Sequence, residues 1–251
     1  MMLISNKTGK VVFTQMESET PDLFGQPRDC NQVDMTVGQQ YLTNQSQVFL
    51  NDLNCQQKLE AIGLSDSSLI ERFGLGYADR QFQRLIPHRD SDEGKKIRGS
   101  LHRLGLVRGT GHGVFNGGVL FPLFYDIYYS PVGVYGYWCK PKKGFEPDMY
   151  TIWGKDSVGI FNLDALNGFA NLIVCQCPVT ACQLIERGLE NVIAVMSNGD
   201  TVEHYYKLFK HTRTASVKLI SNGDRYGQFW KEQISEALRL LNIDTSEFCD
   251  A

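Results

Sequence analysis

Asn171–Cys182 reads NLIVCQCPVTAC, and Ser216–Gly227 reads SVKLISNGDRYG. Each is an apolar run of strand length that ends in a short polar turn. An amphipathic helical pattern follows each turn, over Pro178–Arg187 and Arg225–Leu241. Proline suits a first helical position because its missing N–H has no partner there, and aspartate is a favoured N-cap. Between the two stretches lie a third apolar run, Val192–Val195, and a third helical pattern, Val202–Lys210. The series is β-α-β-α-β-α, which implies a parallel sheet covered by helices. In such sheets functional groups gather at the carboxyl ends of the strands. Those ends are Gln176–Thr180, Met196–Thr201 and Ser221–Asp224.

Upstream the texture differs. Residues 1–43 are polar and irregular and read as an extended or partly disordered arm, with a short strand over Lys10–Thr14. A helix is predicted over residues 44–60. A second follows Ser65 and stops at Gly74, and a third spans Glu93–Leu104. Gly118–Phe124 and Val132–Trp138 read as the strands of a hairpin. The chain divides into the arm, an α+β region over 44–150, and the alternating region over 151–251.

The 251 residues carry a net charge of −3, with 42% hydrophobic and 21% charged residues. This describes a globular protein with a core, and any nucleic-acid contact must come from a local patch. No stretch approaches the ~18 apolar residues of a membrane span, and Met1–Lys10 lacks the pattern of a secretory signal. A cytoplasmic location is the expectation. The seven cysteines are odd in number and suggest no disulfide framework. Cys175, Cys177 and Cys182 have no second Cys/His pair nearby and read as apolar fillers at a strand end rather than zinc ligands. His88, His112 and His204 sit in separate segments with no paired nucleophile.

Several segments together resemble the RNA-polymerase core of bacterial DnaG-type primases. Leu64–Ala78 (LSDSSLIERFGLGYA) is similar to the opening of that core, and Gly118–Leu123 (GVLFPL) and Val132–Gly136 (VGVYG) to its glycine-bearing hairpin. Gly159–Leu163 (GIFNL) sits where the family leads into its TOPRIM domain, and Leu172–Leu189, Glu190–Phe209 and Val217–Gly227 resemble that domain's successive units. The resemblance implies an α/β chain: an α+β amino-terminal subdomain, then a TOPRIM-like domain with a parallel sheet flanked by helices. It also implies a setting in DNA replication. Related chains occur in phage and mobile elements, beside or fused to helicases.

The departures fall on the chemistry. Where the family has a glutamate that serves the metal site or the proton transfer this chain has Gln176, and where a second acid follows it has Thr180. The family's Asp-x-Asp pair becomes Asn222-Gly223-Asp224. Asn116, Gly118 and Tyr137 stand where groove arginines are expected. A last strand, the zinc ribbon and a helicase-binding domain are all read as absent. Magnesium is held mainly by carboxylates, and phosphoryl transfer needs one or two such cations against the triphosphate. A carboxylate ~4 Å from a cation contributes ~4 kcal/mol at an effective dielectric of ~20. Gln176, Asn222 and Asp224 are therefore the catalytic positions in question, with Asp224 and Asp200 as the metal candidates. Asp224 also reads as the cap of its helix, with Gly223 and Gly227 easing a tight strand-to-helix turn.

Lys95, Lys96, Arg98, Arg103 and Arg108, with His102 among them and glycines 109, 111 and 113 beside them, are candidates for phosphate contact. An ordinary solvated helix face is the other reading. Lys142 and Lys143 form a second basic loop beside Tyr135, Tyr137 and Trp138, which read as stacking platforms or hairpin core. The expected protein keeps the scaffold without the catalysis. It would need no cofactor and would bind single-stranded DNA or a replication protein such as a helicase or polymerase. The alternative is an active primase making RNA primers, with Asp224, Asp200 and Asp164 holding Mg2+ or Mn2+.

Overall fold

The computed structural model describes residues 4–5, 11–12, 30–125, 130–140, 147–153 and 158–248. A short antiparallel pair comes first, β1 (Ile4–Ser5) and β2 (Val11–Val12). Val11–Val12 falls within the strand expected over Lys10–Thr14.

The first long element is helix α1 (Gln32–Asn51). It opens on a capping box: the Asn31 side chain accepts from the Asp34 N–H at 3.0 Å, and the Asp34 carboxylate accepts from the Asn31 N–H at 3.2 Å. Residues 32–43 are therefore helical, not part of an extended arm. Helix α2 (Leu53–Glu60) follows, capped by Asp52, then α3 (Ser68–Phe73). Ser65 does not cap α3 through its side chain. Its N–H and that of Asp66 donate instead to Glu186 Oε1, at 2.7 and 2.6 Å. Gly74 ends α3 at φ 62°, as a glycine stop should.

Strand β3 (Gly76–Tyr77), helices α4 (Phe82–Leu85) and α5 (Asp92–Arg103), and strands β4 (Val119–Leu123), β5 (Gly133–Tyr137) and β6 (Asp148–Ile152) complete the first half. The strands form an antiparallel sheet in the order β3-β4-β5-β6. The β4–β5 pair is the predicted hairpin, with Phe121 opposite Tyr135. Gly136 is required there, because a Cβ at that position would lie 2.3 Å from the ring of the fully buried Phe115.

The second half contains β7 (Val158–Phe161), α6 (Leu163–Gly168), β8 (Asn171–Cys175), α7 (Pro178–Glu186), β9 (Val192–Ser197), α8 (Val202–Phe209), β10 (Ser216–Ile220), α9 (Arg225–Leu240) and β11 (Asp244–Glu247). Its sheet runs β11-β10-β8-β9-β7. The first four strands are parallel and β7 is antiparallel to β9. Strand β11 corrects the expectation that the last strand is missing. Its residues are polar and exposed, so no apolar run announces it, and backbone pairing with β10 holds it at the edge.

An antiparallel bridge from Phe124 to Ile160 joins the two sheets. One core is shared between the halves, with Phe121 and Tyr135 packed in a cluster with Phe161, Cys175 and the inner face of α7. A second core lies between the parallel sheet and α8 and α9, around Trp230 and Ile234. A third fills the far side of the antiparallel sheet against α1 and α5, around Trp153 and Phe115. Emptying the volume of either of those aromatics would cost about 3–5 kcal/mol. Among the described residues, no helix is long and apolar enough to cross a membrane.

Candidate functional site

The carboxyl ends of β8, β9 and β10 meet at one side of the parallel sheet. The Gln176 N–H donates to the Ile220 carbonyl at 3.2 Å. The Gln176 side-chain oxygen accepts from the Asn222 N–H at 3.1 Å, which ties the end of β8 to the turn after β10. Helix α9 starts hard against that turn. A Cβ at Gly227 would lie 2.1 Å from the Asn222 carbonyl oxygen, so only glycine fits. Asp224 caps the helix, its Oδ1 accepting from the Gly227 N–H at 2.6 Å.

These strand ends form one wall of a cleft of about 680 Å³. The facing wall comes from β5 and β6 of the antiparallel sheet, through Tyr135, Tyr137, Asp148 and Tyr150. Gln176, Asn222, Asp224 and Asp200 all line this cleft, so the structure brings the catalytic candidates and both metal candidates together. Asp164 lines a separate cavity of about 390 Å³ beside Arg72 and Phe73, which removes it from the proposed ligand set.

Each carboxylate in the cleft already has a protein partner. Asp200, only 3% exposed, follows Gly199 and itself sits at φ 40°. Its two oxygens accept from the hydroxyls of Tyr205 and Tyr226. Burial raises the Asp200 pKa, and the two tyrosine hydrogen bonds oppose that rise. Asp148 accepts from the Tyr135 hydroxyl at 2.5 Å. With that hydrogen committed, the Cys177 thiol, 3.0 Å from the same oxygen, is the donor to Tyr135. Burial pushes the Cys177 thiol up, as it does Cys175 and Cys182. These three are free thiols, and none is poised as a thiolate.

Few carboxylate oxygens in this cleft are left free to hold a divalent cation. Among the described residues, no three His, Cys, Asp or Glu side chains converge as a metal site. Gln176 and Asn222 contribute neutral amides, Asp200 is buried beneath two tyrosine hydroxyls, and Asp224 is spent in part on its cap.

The basic candidates divide. Lys95, Lys96 and Arg108 are exposed, with Lys95 4.0 Å from Asp92. Arg98 donates to the Pro87 carbonyl at 3.2 Å. The structure gives Arg103 a different task. Its guanidinium holds the fully buried Asp34 through two hydrogen bonds of 3.0 and 2.5 Å, tying α5 to the first turn of α1. Spacing along the chain gave no sign of this pair, which is separated by 69 positions. Lys142 and Lys143 lie outside the described residues. Trp138 stacks on Phe115 and donates to the Asn116 carbonyl, so it belongs to the hairpin core, while Tyr137 lines the cleft.

Asp148, Tyr150, Tyr226 and Trp230 complete the site and are not evident from the strand-end motifs alone. Tyr226 sits inside the quoted stretch SNGDRYG, and its proximity to the turn is the one available signal. Asp148 and Tyr150 come from a different sheet and carry no local signature.

No family model matches the chain, and no curated protein matches its sequence. The fold, by contrast, is shared with solved primase cores. The DnaG primase catalytic domain bound to ssDNA superposes with a TM-score of 0.64 at 20% identity, covering 82% of this chain and 68% of that one. The E. coli primase catalytic core gives 0.63 at 21%, covering 81% and 67%. The Aquifex aeolicus primase zinc-binding and RNA polymerase domains give 0.63 at 17%, covering 86% and 56%. At these identities the likeness is one of fold.

Proposed function

We propose that this chain is a primase-fold protein that binds single-stranded DNA in the service of replication and does not itself carry out template-directed synthesis. One observation supports this above the others: the carboxylates of the strand-end cleft are hydrogen-bonded within the protein, and neutral amides stand at Gln176 and Asn222. Synthesis needs cations held against a triphosphate by anionic oxygens. This TOPRIM-like half keeps the turns that would present such oxygens, with amides at two of them and the cleft's carboxylates already hydrogen-bonded.

Support for DNA comes from the shared fold, since one similar core was solved with ssDNA. It also comes from the exposed Lys95, Lys96 and Arg108. Three phosphate contacts on a single strand give a slope of log affinity against log salt of about −2.

The test is fluorescence anisotropy with a labelled single strand across a salt series, in EDTA and in Mg2+, paired with a primer-synthesis assay in Mg2+ and Mn2+. Salt-dependent binding that persists in EDTA without Mg2+, with no primer made, is the expected outcome. Primer synthesis abolished by Asp224→Ala would overturn the proposal and establish an active primase.

A further inference from the structure

We infer that the cleft at the strand ends holds an unpaired nucleobase of the bound strand, through aromatic rings and uncharged amides and without a metal ion. The inference rests on the single-strand reading above and deepens it.

Volume and lining come first. About 680 Å³ accommodates a nucleotide. Tyr137, Tyr150 and Tyr226 line it, and two of these rings are fixed by their hydroxyls. Tyr150 donates to the Ser197 carbonyl at 2.8 Å, and Tyr226 donates to Asp200. Rings anchored in this way are preorganised surfaces for a base, and base–aromatic stacking is the common currency of single-strand recognition. Tyr226 is 49% exposed although its hydroxyl is tied down, which leaves much of its surface open at the cleft.

The polar groups give the second argument. Gln176 Nε2 and Trp230 Nε1 are buried donors on the cleft lining with no hydrogen-bond partner among the described residues. The Trp230 side chain is 1% exposed. Buried donors are nearly always satisfied, so two orphans at one site call for an acceptor. Gln176 is fixed in orientation because its oxygen is occupied by the Asn222 N–H, which leaves the amide nitrogen to donate.

Charge then selects the acceptor. Asp148, Asp200 and Asp224 line the same cleft, and among the described residues no basic side chain lines it. A phosphate would be repelled. A neutral base brings carbonyl or ring-nitrogen acceptors for the orphan donors, and exocyclic amino groups for the carboxylates. Gln176, a position that would serve a cation in an acidic version of this cleft, thus presents a donor to an uncharged edge.

The experiment compares two labelled strands in EDTA: a single-stranded DNA of about 12 nucleotides, and an abasic phosphodiester of equal length. The intact strand should bind about tenfold more tightly or better. Gln176→Glu, which removes the donor and keeps the oxygen, should cut that preference to about threefold or less while leaving the salt slope unchanged. If Gln176→Glu fails to fold by circular dichroism, Tyr226→Leu serves, with the same expected loss of preference. Equal binding of intact and abasic strands by the wild-type protein refutes the base pocket and leaves the single-strand proposal standing. If neither strand binds, calorimetric titration with adenosine, cytidine, guanosine and thymidine decides. Binding of one or more nucleosides supports the pocket while the strand proposal falls, and no binding sinks both.

Discussion

Arg103→Ala should unfold this protein more readily and leave its DNA affinity alone. The Asp34 side chain is 0% exposed and Arg103 is 36% exposed. The guanidinium holds the Asp34 carboxyl down to about 2 from 3.8, a difference worth about 2 kcal/mol. Truncating the arginine strands a buried carboxylate, and breaking such a pair from one side costs about 3–5 kcal/mol. Asp34 keeps the Asn31 N–H and Ser100 as partners, so the low end, about 3 kcal/mol, is the expected loss. For a chain of this size that lowers the melting temperature by about 6–12 °C. The pH dependence has a definite sign. The folded pKa is depressed, so the stabilisation is complete above the unfolded value of about 3.9 and is lost as pH falls through about 2. The gap between wild type and variant should therefore close in strong acid. Urea melts at pH 7 and below pH 3, with anisotropy at pH 7 on the folded variant, provide the assay. A variant within about 0.5 kcal/mol of wild type, the range of an ordinary surface change, would refute the reasoning. So would a loss of DNA affinity matching that of Lys95→Glu.

Three further outcomes follow from the same geometry. Gly227→Ala should cost about 1–3 kcal/mol or more in urea denaturation, because its Cβ meets backbone at 2.1 Å and the turn has no flexible side chain to yield. Asp224→Ala should cost about 1 kcal/mol while Asp224→Ser costs only a few tenths, since serine restores the cap without the charge; equal losses would assign Asp224 a charge-based role instead. The triple change Lys95→Glu, Lys96→Glu, Arg108→Glu should flatten the salt slope by about 2 and leave the melting temperature nearly unchanged, because all three side chains are exposed.

The alternating half was legible because its signals are local. Three apolar runs each end in a polar turn and a helix, opened by Pro178 in α7 and capped by Thr201 and Asp224 in α8 and α9, and the helices fall within one or two residues of expectation. The hairpin was legible for the same reason. What escaped notice depends on partners distant in sequence. Helix α1 buries Asp34, Gln45 and Gly38 beside Tyr41 and Phe49, so its inner face is half polar and shows no clean apolar stripe. Only the Asn31–Asp34 capping box marks its start. Strand β11 is Asp-Thr-Ser-Glu, held by backbone pairing and by Lys231 on Glu247. The strand ends do meet along one cleft, as their spacing suggests, but the facing wall, Asp148 and Tyr150 on another sheet, could not be reached from spacing.

Gln176 is where fold and function separate. Its oxygen ties β8 to the β10 turn, and a glutamate would offer the same oxygen to the same Asn222 N–H. The fold therefore does not require the amide. Its nitrogen, moreover, is a buried donor with no partner among the described residues, which costs about 1–3 kcal/mol that a carboxylate would not incur. A glutamate would instead place a fourth carboxylate in a cleft that already holds Asp148, Asp200 and Asp224, and without a cation those charges repel. Amides at 176 and 222 make sense in a cleft that works without a metal, and the unmade donor makes sense if a ligand supplies its acceptor. Gln176→Glu should accordingly gain affinity for Mn2+ as it loses preference for bases. Metal titration followed by isothermal calorimetry checks this, and a variant that changes neither property would show that the amide has no functional meaning.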